Sequence, residues 1–176
     1  MRVVAGNLRH RIIEMTNLET TRETQDKVRQ AIYNMIGPYF SGGKCLDLFA
    51  GSGAMGIEAY SRGIEFIYLN DLNNEALNVC KKNCKNLGIE NVKFSNLDYK
   101  EFINKCDTQF DLIILDPPYK MDDIKGIIEE VYPLLNKDGL LVFEMGKDSK
   151  YIEEYNDLSL IKNKEYGIKR VVVYRR

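Results

Sequence analysis

Asp116, Pro117, Pro118 and Tyr119 form a consecutive element that can act on an amino group. An amino nitrogen on an aromatic ring is a poor nucleophile, because its lone pair is delocalised into the ring. A carboxylate and a carbonyl that accept its two hydrogens can hold that nitrogen toward an electrophile. Asp116 and the Pro117 carbonyl offer such a pair, since two successive prolines stiffen the turn and remove two N–H donors. Asp116 can also take the proton after transfer. Tyr119 supplies a flat apolar face for an unstacked base, worth roughly 1 to 3 kcal/mol. The plain alternative is a strand-terminating turn, for which Asp-Pro and Pro-Pro are ordinary.

A second motif stands about 65 residues earlier, where Cys45-Leu-Asp-Leu-Phe-Ala-Gly-Ser-Gly-Ala-Met-Gly56 puts glycines between an apolar run and a helical segment. Small residues at such a turn let a ligand approach the backbone. Gly51-x-Gly53-x-x-Gly56 matches the dinucleotide fingerprint, and Asp71 follows at about the expected 20 residues. A nicotinamide cofactor is therefore a rival. Asp47 argues against it, because an anion just before the loop repels a pyrophosphate. S-adenosylmethionine carries an ammonium and a sulfonium, both favoured by an Asp, and no phosphate. Asp71 can accept both ribose hydroxyls of either ligand. Asp98 can accept from an adenine amino group between Leu97 and Tyr99, or it can be a helix N-cap.

These residues need strands to position them. Apolar runs at Cys45–Phe49, Phe66–Leu69, Val92–Phe94, Leu112–Leu115 and Leu140–Phe143 suit parallel strands buried on both faces. Helical segments are expected at Met55–Arg62, Glu75–Leu87, Tyr99–Lys105 and Ile124–Leu135. The alternation predicts an α/β fold with a doubly wound sheet, and each acid above falls at a strand's C-terminal end. Leu158–Ile161 and Arg170–Tyr174 read as closing strands, antiparallel because no helix separates them. The result is a Rossmann-like, seven-stranded, mostly parallel sheet. Residues 1–40 read as a short N-terminal extension of basic loop plus a helix from about Gln25 to Ile36, and residues 41–176 as the catalytic domain.

The chain has 176 residues and 44% apolar content, enough for one globular core. Its apolar runs fall well short of the roughly 20 residues that span a bilayer, so a cytoplasmic protein is expected. Cys45, Cys80, Cys84 and Cys106 lack Cys-x-x-Cys spacing, and His10 is distant, so buried thiols are expected and no metal site. The net charge of −1 conceals an uneven distribution. Arg2, Arg9 and Arg11 stand without an acid, and the tail carries Lys162, Lys164, Lys169, Arg170, Arg175 and Arg176. Two basic ends can make one phosphate-binding face if the fold joins them.

With these residues in place, the chain resembles the bacterial 16S rRNA guanine-N2 methyltransferase family of the RsmD type over nearly its full length. Arg2-Val-Val-Ala-Gly6 with Arg9 and Arg11 matches that family's N-terminal signature. So do Thr21-Arg22-Glu-Thr24, Asp26-Lys-Val-Arg29-Gln-Ala-Ile-Tyr-Asn34, Asp47-Leu-Phe-Ala-Gly-Ser-Gly53 and Tyr166-Gly167. The resemblance implies a class I methyltransferase fold, S-adenosylmethionine as donor and a guanine of small-subunit rRNA as acceptor. It implies that Asp47, Phe49, Gly51, Ser52, Gly53, Asp71, Leu72, Asp98 and Tyr99 hold the donor. Asp116, Pro117, Pro118 and Tyr119 then carry the acceptor chemistry, and Arg2, Arg9, Arg11, Arg22, Lys27 and Arg29 contact RNA. The partner is 16S rRNA within a small-subunit particle or assembly intermediate, and the enzyme is expected to be a monomer. Two departures stand out: Glu23 occupies a position usually held by proline, and Asp71 one where Glu is commoner.

A DNA adenine-N6 methyltransferase would need the same four-residue element, but such enzymes generally carry a sizeable recognition domain. A protein glutamine methyltransferase usually shows Asn where Asp116 stands. An RNA-binding assembly factor without activity is the reading from another class.

Overall fold

The computed structural model describes residues 1–16, 26–118, 121 and 123–176. Arg22 and Tyr119, expected at the RNA surface and the acceptor site, lie outside the described residues. Each apolar run after Lys44 becomes a strand of one sheet. The strands are β1 (Lys44–Asp47), β2 (Phe66–Asn70), β3 (Val92–Ser95), β4 (Phe110–Leu115), β5 (Leu135–Gly146), β6 (Glu154–Tyr155), β7 (Leu158–Tyr166) and β8 (Lys169–Arg175). The helices are α1 (Asp26–Ile36), α2 (Ala54–Ser61), α3 (Asn74–Leu87), α4 (Tyr99–Lys105) and α5 (Ile124–Val131).

Across the sheet the order is β3-β2-β1-β4-β5-β8-β7-β6. β1 to β5 run parallel, and β8, β7 and β6 extend the sheet in antiparallel fashion. Seven strands were expected; the eighth, β6, is a two-residue edge partner of β7. The strand order reverses between β1 and β4, so a crevice opens there at the strands' C-terminal ends. α5 stops at Val131, short of the expected Leu135, because Pro133 has no N–H to continue the ladder and a 3-10 turn over Tyr132–Leu134 follows. β5 then starts at Leu135, five residues before the expected Leu140, through Phe110 paired with Leu135.

Side chains alternate across the parallel strands and build two cores. Leu112, Ile114 and Val142 face α1, α2 and α3, whereas Ile113, Leu115 and Phe143 face α4 and α5. Cys45, Cys80 and Cys84 are buried in the first core. On α1, Arg29, Ile32, Tyr33 and Ile36 are buried at one-face helical spacing, and Tyr33 donates to the Met55 carbonyl at 2.6 Å.

Residues 1–13 form a narrow ribbon closed by Val3 N–H to the Arg11 carbonyl and His10 N–H to the Val3 carbonyl, each at 2.9 Å. α2 holds this ribbon. Glu58 accepts from Val4 N–H at 2.9 Å and Ala5 N–H at 3.0 Å, and Ser61 Oγ accepts from Leu8 N–H at 2.9 Å. Buried Glu58 also pairs with Arg29 Nε at 3.2 Å and Arg62 Nε at 2.8 Å. Arg29 further donates to the Arg2 carbonyl and, at 3.0 Å, to Asp26. The charges thus satisfy backbone groups that the ribbon would otherwise bury unpaired. Val3 and Ile13 join the same core as α1, so the extension shares the catalytic domain's interior.

Candidate active site

A cavity of about 480 Å³ opens at the C-terminal ends of β1, β2, β3 and β4, within the size range of small-ligand sites. Asp47, Phe49, Gly51, Ser52, Asp71, Leu72, Asp98, Tyr99, Asp116, Pro117 and Pro118, all expected from sequence, line it. Asp47 ends β1 and is 2% exposed, and its Oδ2 accepts from Gly56 N–H at 3.0 Å. Burial pushes its carboxyl up to about 7, with Asp116 and Asp71 adding repulsion and the Gly56 bond opposing the shift.

Asp71 follows β2 and stitches two loops together. Its Oδ2 accepts from Gly51 N–H and its Oδ1 from Asn73 N–H, both at 2.8 Å. Each carboxylate oxygen has a further lone pair, so these bonds leave capacity for hydroxyls. Asp98 is the N-cap of α4, accepting from Lys100 N–H at 3.0 Å, and it borders the cavity as well. Phe49 and Tyr99 form an aromatic wall, with ring centroids 5.8 Å apart.

Asn70, unassigned from sequence, also lines the cavity. Its side chain donates to the Leu48 carbonyl at 3.1 Å and the Leu97 carbonyl at 3.0 Å, and accepts from Ser95 Oγ at 2.8 Å. It braces the ends of β1, β2 and β3, where the acids must be held. An amide ending an apolar strand was the available signal.

Gly53, also expected there, is not among the residues that line the cavity. A Cβ at Gly53 would stand 2.6 Å from Cys80 Sγ, and one at Gly56 would stand 2.4 Å from Leu69 Cδ2. The missing side chains of these two glycines make room for α3 and β2. Gly51 alone of the three borders the open space.

The cavity continues past Asp116, Pro117 and Pro118 into a smaller one of about 80 Å³ that Glu144 and Lys169 also line. Glu144, near the end of β5, is buried, and Lys169 at the start of β8 pairs with its Oε1. Neither was assigned from sequence.

The cations expected at an RNA surface divide. Arg2, Arg9, Arg11 and Lys27 are exposed on the ribbon and α1. Arg2 donates to the His10 carbonyl at 3.1 Å and Arg11 to the Asn86 carbonyl at 3.0 Å. Arg29 is a correction: it is fully buried against Glu58 and serves the ribbon, not a phosphate. The ribbon packs on α2 and α3 beside β1 to β3, while the tail forms β7 and β8 beyond β5. There Lys169, Arg170 and Arg176 pair with Glu144, Glu165 and Asp157.

Four carboxylates bordering one cavity suit a ligand bearing cations and hydroxyls and oppose a pyrophosphate at the same loop. Bound there, S-adenosylmethionine supplies an electrophilic methyl group on sulfur. Asp47, Phe49, Asp71, Leu97 and Tyr99 all line the cavity; Asp47 and Asp71 could hold the donor's ammonium and ribose, and the apolar side chains its adenine. Fold and site together define a class I S-adenosylmethionine-dependent methyltransferase.

The chain belongs to the family described as Conserved hypothetical protein 95, whose model matches residues 1–175. It is 37% identical to the Bacillus subtilis protein YlbH, covering 100% of this chain and 99% of that one. Identity to the Haemophilus influenzae ribosomal RNA small subunit methyltransferase D is 31%, over 99% of this chain and 93% of that one. The solved structure of the Escherichia coli protein yhhF superimposes with a TM-score of 0.88 at 25% identity, covering 100% of this chain and 97% of that one.

Proposed function

We propose that this enzyme transfers a methyl group from S-adenosylmethionine to the exocyclic N2 of a guanine in 16S rRNA, within a small-subunit particle or assembly intermediate. The observation that carries the proposal is the position of Asp116 and Pro117, at the junction of the donor cavity and the smaller cavity beside it. Relatives named as small-subunit rRNA methyltransferases support the choice of rRNA.

On this reading Asp116 Oδ and the Pro117 carbonyl accept the two amino hydrogens, which aims the nitrogen lone pair along the axis opposite the departing sulfur. As the N–C bond forms and the C–S bond breaks, the amino nitrogen gains positive charge. Asp116 stabilises that charge and then takes a proton. Tyr119 follows directly in sequence and is assigned to stack on the base. Exposed Arg2, Arg9, Arg11 and Lys27 on residues 1–40 contact phosphates, and the enzyme acts as a monomer in the cytoplasm. Among the described residues, no helix is long and apolar enough to cross a membrane.

The test uses small subunits from cells lacking this gene and donor labelled on its methyl group. Wild-type protein should label one guanine, mapped by primer extension and nucleoside analysis. Asp116→Ala should lose transfer by at least about 1,000-fold while donor affinity by calorimetry stays within a few-fold. Label on DNA or protein instead, or an active Asp116→Ala enzyme, would refute the assignment.

A further inference from the structure

Glu144 is a buried carboxylate that the mechanism does not use. In β5 it keeps phase with Leu140 and Val142, on the apolar face that packs under α1 and α2. An acid at such a position is costly unless paired, and apolar residues commonly serve as well or better. It is paired with Lys169, which comes 25 residues later from an antiparallel strand and is itself only 17% exposed. The pair therefore sits where a purely apolar sheet end would have been simpler.

Register explains what the pair stands beside. β4 and β5 are parallel with Leu115 opposite Phe143. The next residues along the two chains are Asp116, just past β4, and Glu144, where the neighbouring backbones lie about one strand spacing of 4.8 Å apart. Lys169, paired across β8 with Gly146, lies beyond Glu144 on the same path. Asp116, Glu144 and Lys169 all line the smaller cavity. Along that cavity the protein thus offers acceptor, acceptor, donor.

The edges of the bases differ in this respect. Guanine presents its N2 amino group, its N1–H and its O6 in a row: donor, donor, acceptor. Adenine follows its amino group with the bare N1 acceptor, and cytosine follows its own with the bare N3 acceptor. Either would set a nitrogen lone pair against the Glu144 carboxylate. We infer that Glu144 and Lys169 form a guanine-reading subsite, Glu144 accepting from N1–H and Lys169 donating to O6 while Asp116 holds N2. The inference rests on the guanine-N2 reading above and gives it a structural cause. A carboxylate has about four acceptor positions, so Glu144 can serve more than one donor at a time. The Lys169 ammonium carries three donors, so it has others to share besides the one on Glu144.

The decisive substrate is 2-aminopurine, which keeps the N2 amino group but has a bare N1 and no O6. Small-subunit particles are reconstituted with guanine or 2-aminopurine at the mapped nucleotide, and single-turnover transfer is measured on each. Wild-type enzyme should prefer guanine by at least about 100-fold, as a site does when its buried polar groups face an unmatched partner. Glu144→Gln keeps the shape but can turn an amide N–H toward a bare N1. It should slow transfer to guanine and shrink that preference at least about tenfold. A Glu144 that only anchored β5 to β8 would lower both rates together and leave the ratio alone. Donor calorimetry on the variant reports whether the site is folded.

Wild-type enzyme that methylates both bases at similar rates overturns the subsite even if the variant cannot be made. So does a folded Glu144→Gln enzyme with an unchanged ratio. Transfer to guanine with no discrimination refutes the subsite alone, whereas no transfer to guanine refutes the function on which it rests.

Discussion

Donor binding should release a proton, and the proton comes from Asp47. Its carboxyl is buried and pushed up to about 7, with Asp116 and Asp71 as neighbouring negative charges. An ammonium placed against it favours the ionised form and drives the proton off. With a free-state value near 7, donor binding at pH 5.5 releases about one proton and at pH 7 about half of one. The donor's own α-amino group, near 7.7 to 8.0, stays largely protonated below pH 7, so Asp47 dominates this window. Affinity should then rise on the order of 15-fold between pH 5.5 and pH 7. Calorimetry in two buffers of unlike ionisation heat reads the proton count directly.

The same shift has a stability consequence of opposite sense. A folded-state value raised from 3.8 to about 7 means that the donor-free protein holds a proton the unfolded chain gives up. This contribution is fully present below pH 3.8 and is lost as pH rises through 7, with an upper bound of about 4 kcal/mol. Asp47→Asn keeps an acceptor for Gly56 N–H and carries no charge. It should therefore flatten both profiles and weaken donor binding at pH 7. A wild-type enzyme that releases no proton at pH 5.5, or an Asn variant that releases as many, would refute the reasoning.

Other perturbations separate holding the ribbon from holding RNA. Arg29→Met should destabilise the fold by about 3 to 5 kcal/mol, since it leaves Glu58 buried beside one partner fewer, and denaturant melting measures this. The folded fraction of that variant should bind small-subunit particles with the wild-type salt slope. Gly6→Ala should also lower stability, by at least about 1 to 3 kcal/mol from strain at its φ of +82°. Its Cβ would in addition stand 1.7 Å from the Ser61 carbonyl oxygen, and thermal melting reads the sum. Arg9→Gln with Lys27→Gln, both exposed, should instead leave the melting temperature within a few degrees. The salt slope of particle binding should fall by about 1 to 2, and an unchanged slope would move the RNA surface elsewhere.

The acids of the donor cavity were legible in the sequence because their placement depends on local order alone. A parallel strand buried on both faces reads as an apolar run, and the residue ending it lies on the side where ligands bind. Asp47 ends β1, Asp71 follows β2, Asp98 comes after the half-exposed edge strand β3 and Asp116 follows β4, and all four border the cavity. The glycine motif was legible as a turn but not in its purpose. Whether a missing Cβ admits a ligand or a neighbouring helix depends on Cys80 and Leu69, which arrive from elsewhere in the chain.

Charged residues were harder to place, for a related reason. Arg29 falls in phase with Ile32, Tyr33 and Ile36, so the helical period put it on the buried stripe while its type suggested the surface. Glu58 repeats the conflict inside the apolar helix α2, and Glu144 inside the apolar strand β5. In each case the period wins, because the backbone carries the side chain inward whatever its charge. The fold must then deliver an opposite charge to meet it. Glu58 meets Arg62 one turn on and Arg29 from 29 residues away, and Glu144 meets Lys169 from 25 residues away, on elements whose pairing no local pattern specifies. A charge in phase with a buried stripe is thus a legible demand for a distant partner. What the partner is used for depends on where the pair emerges: beneath the ribbon it secures backbone, and beside Asp116 it borders the acceptor cavity.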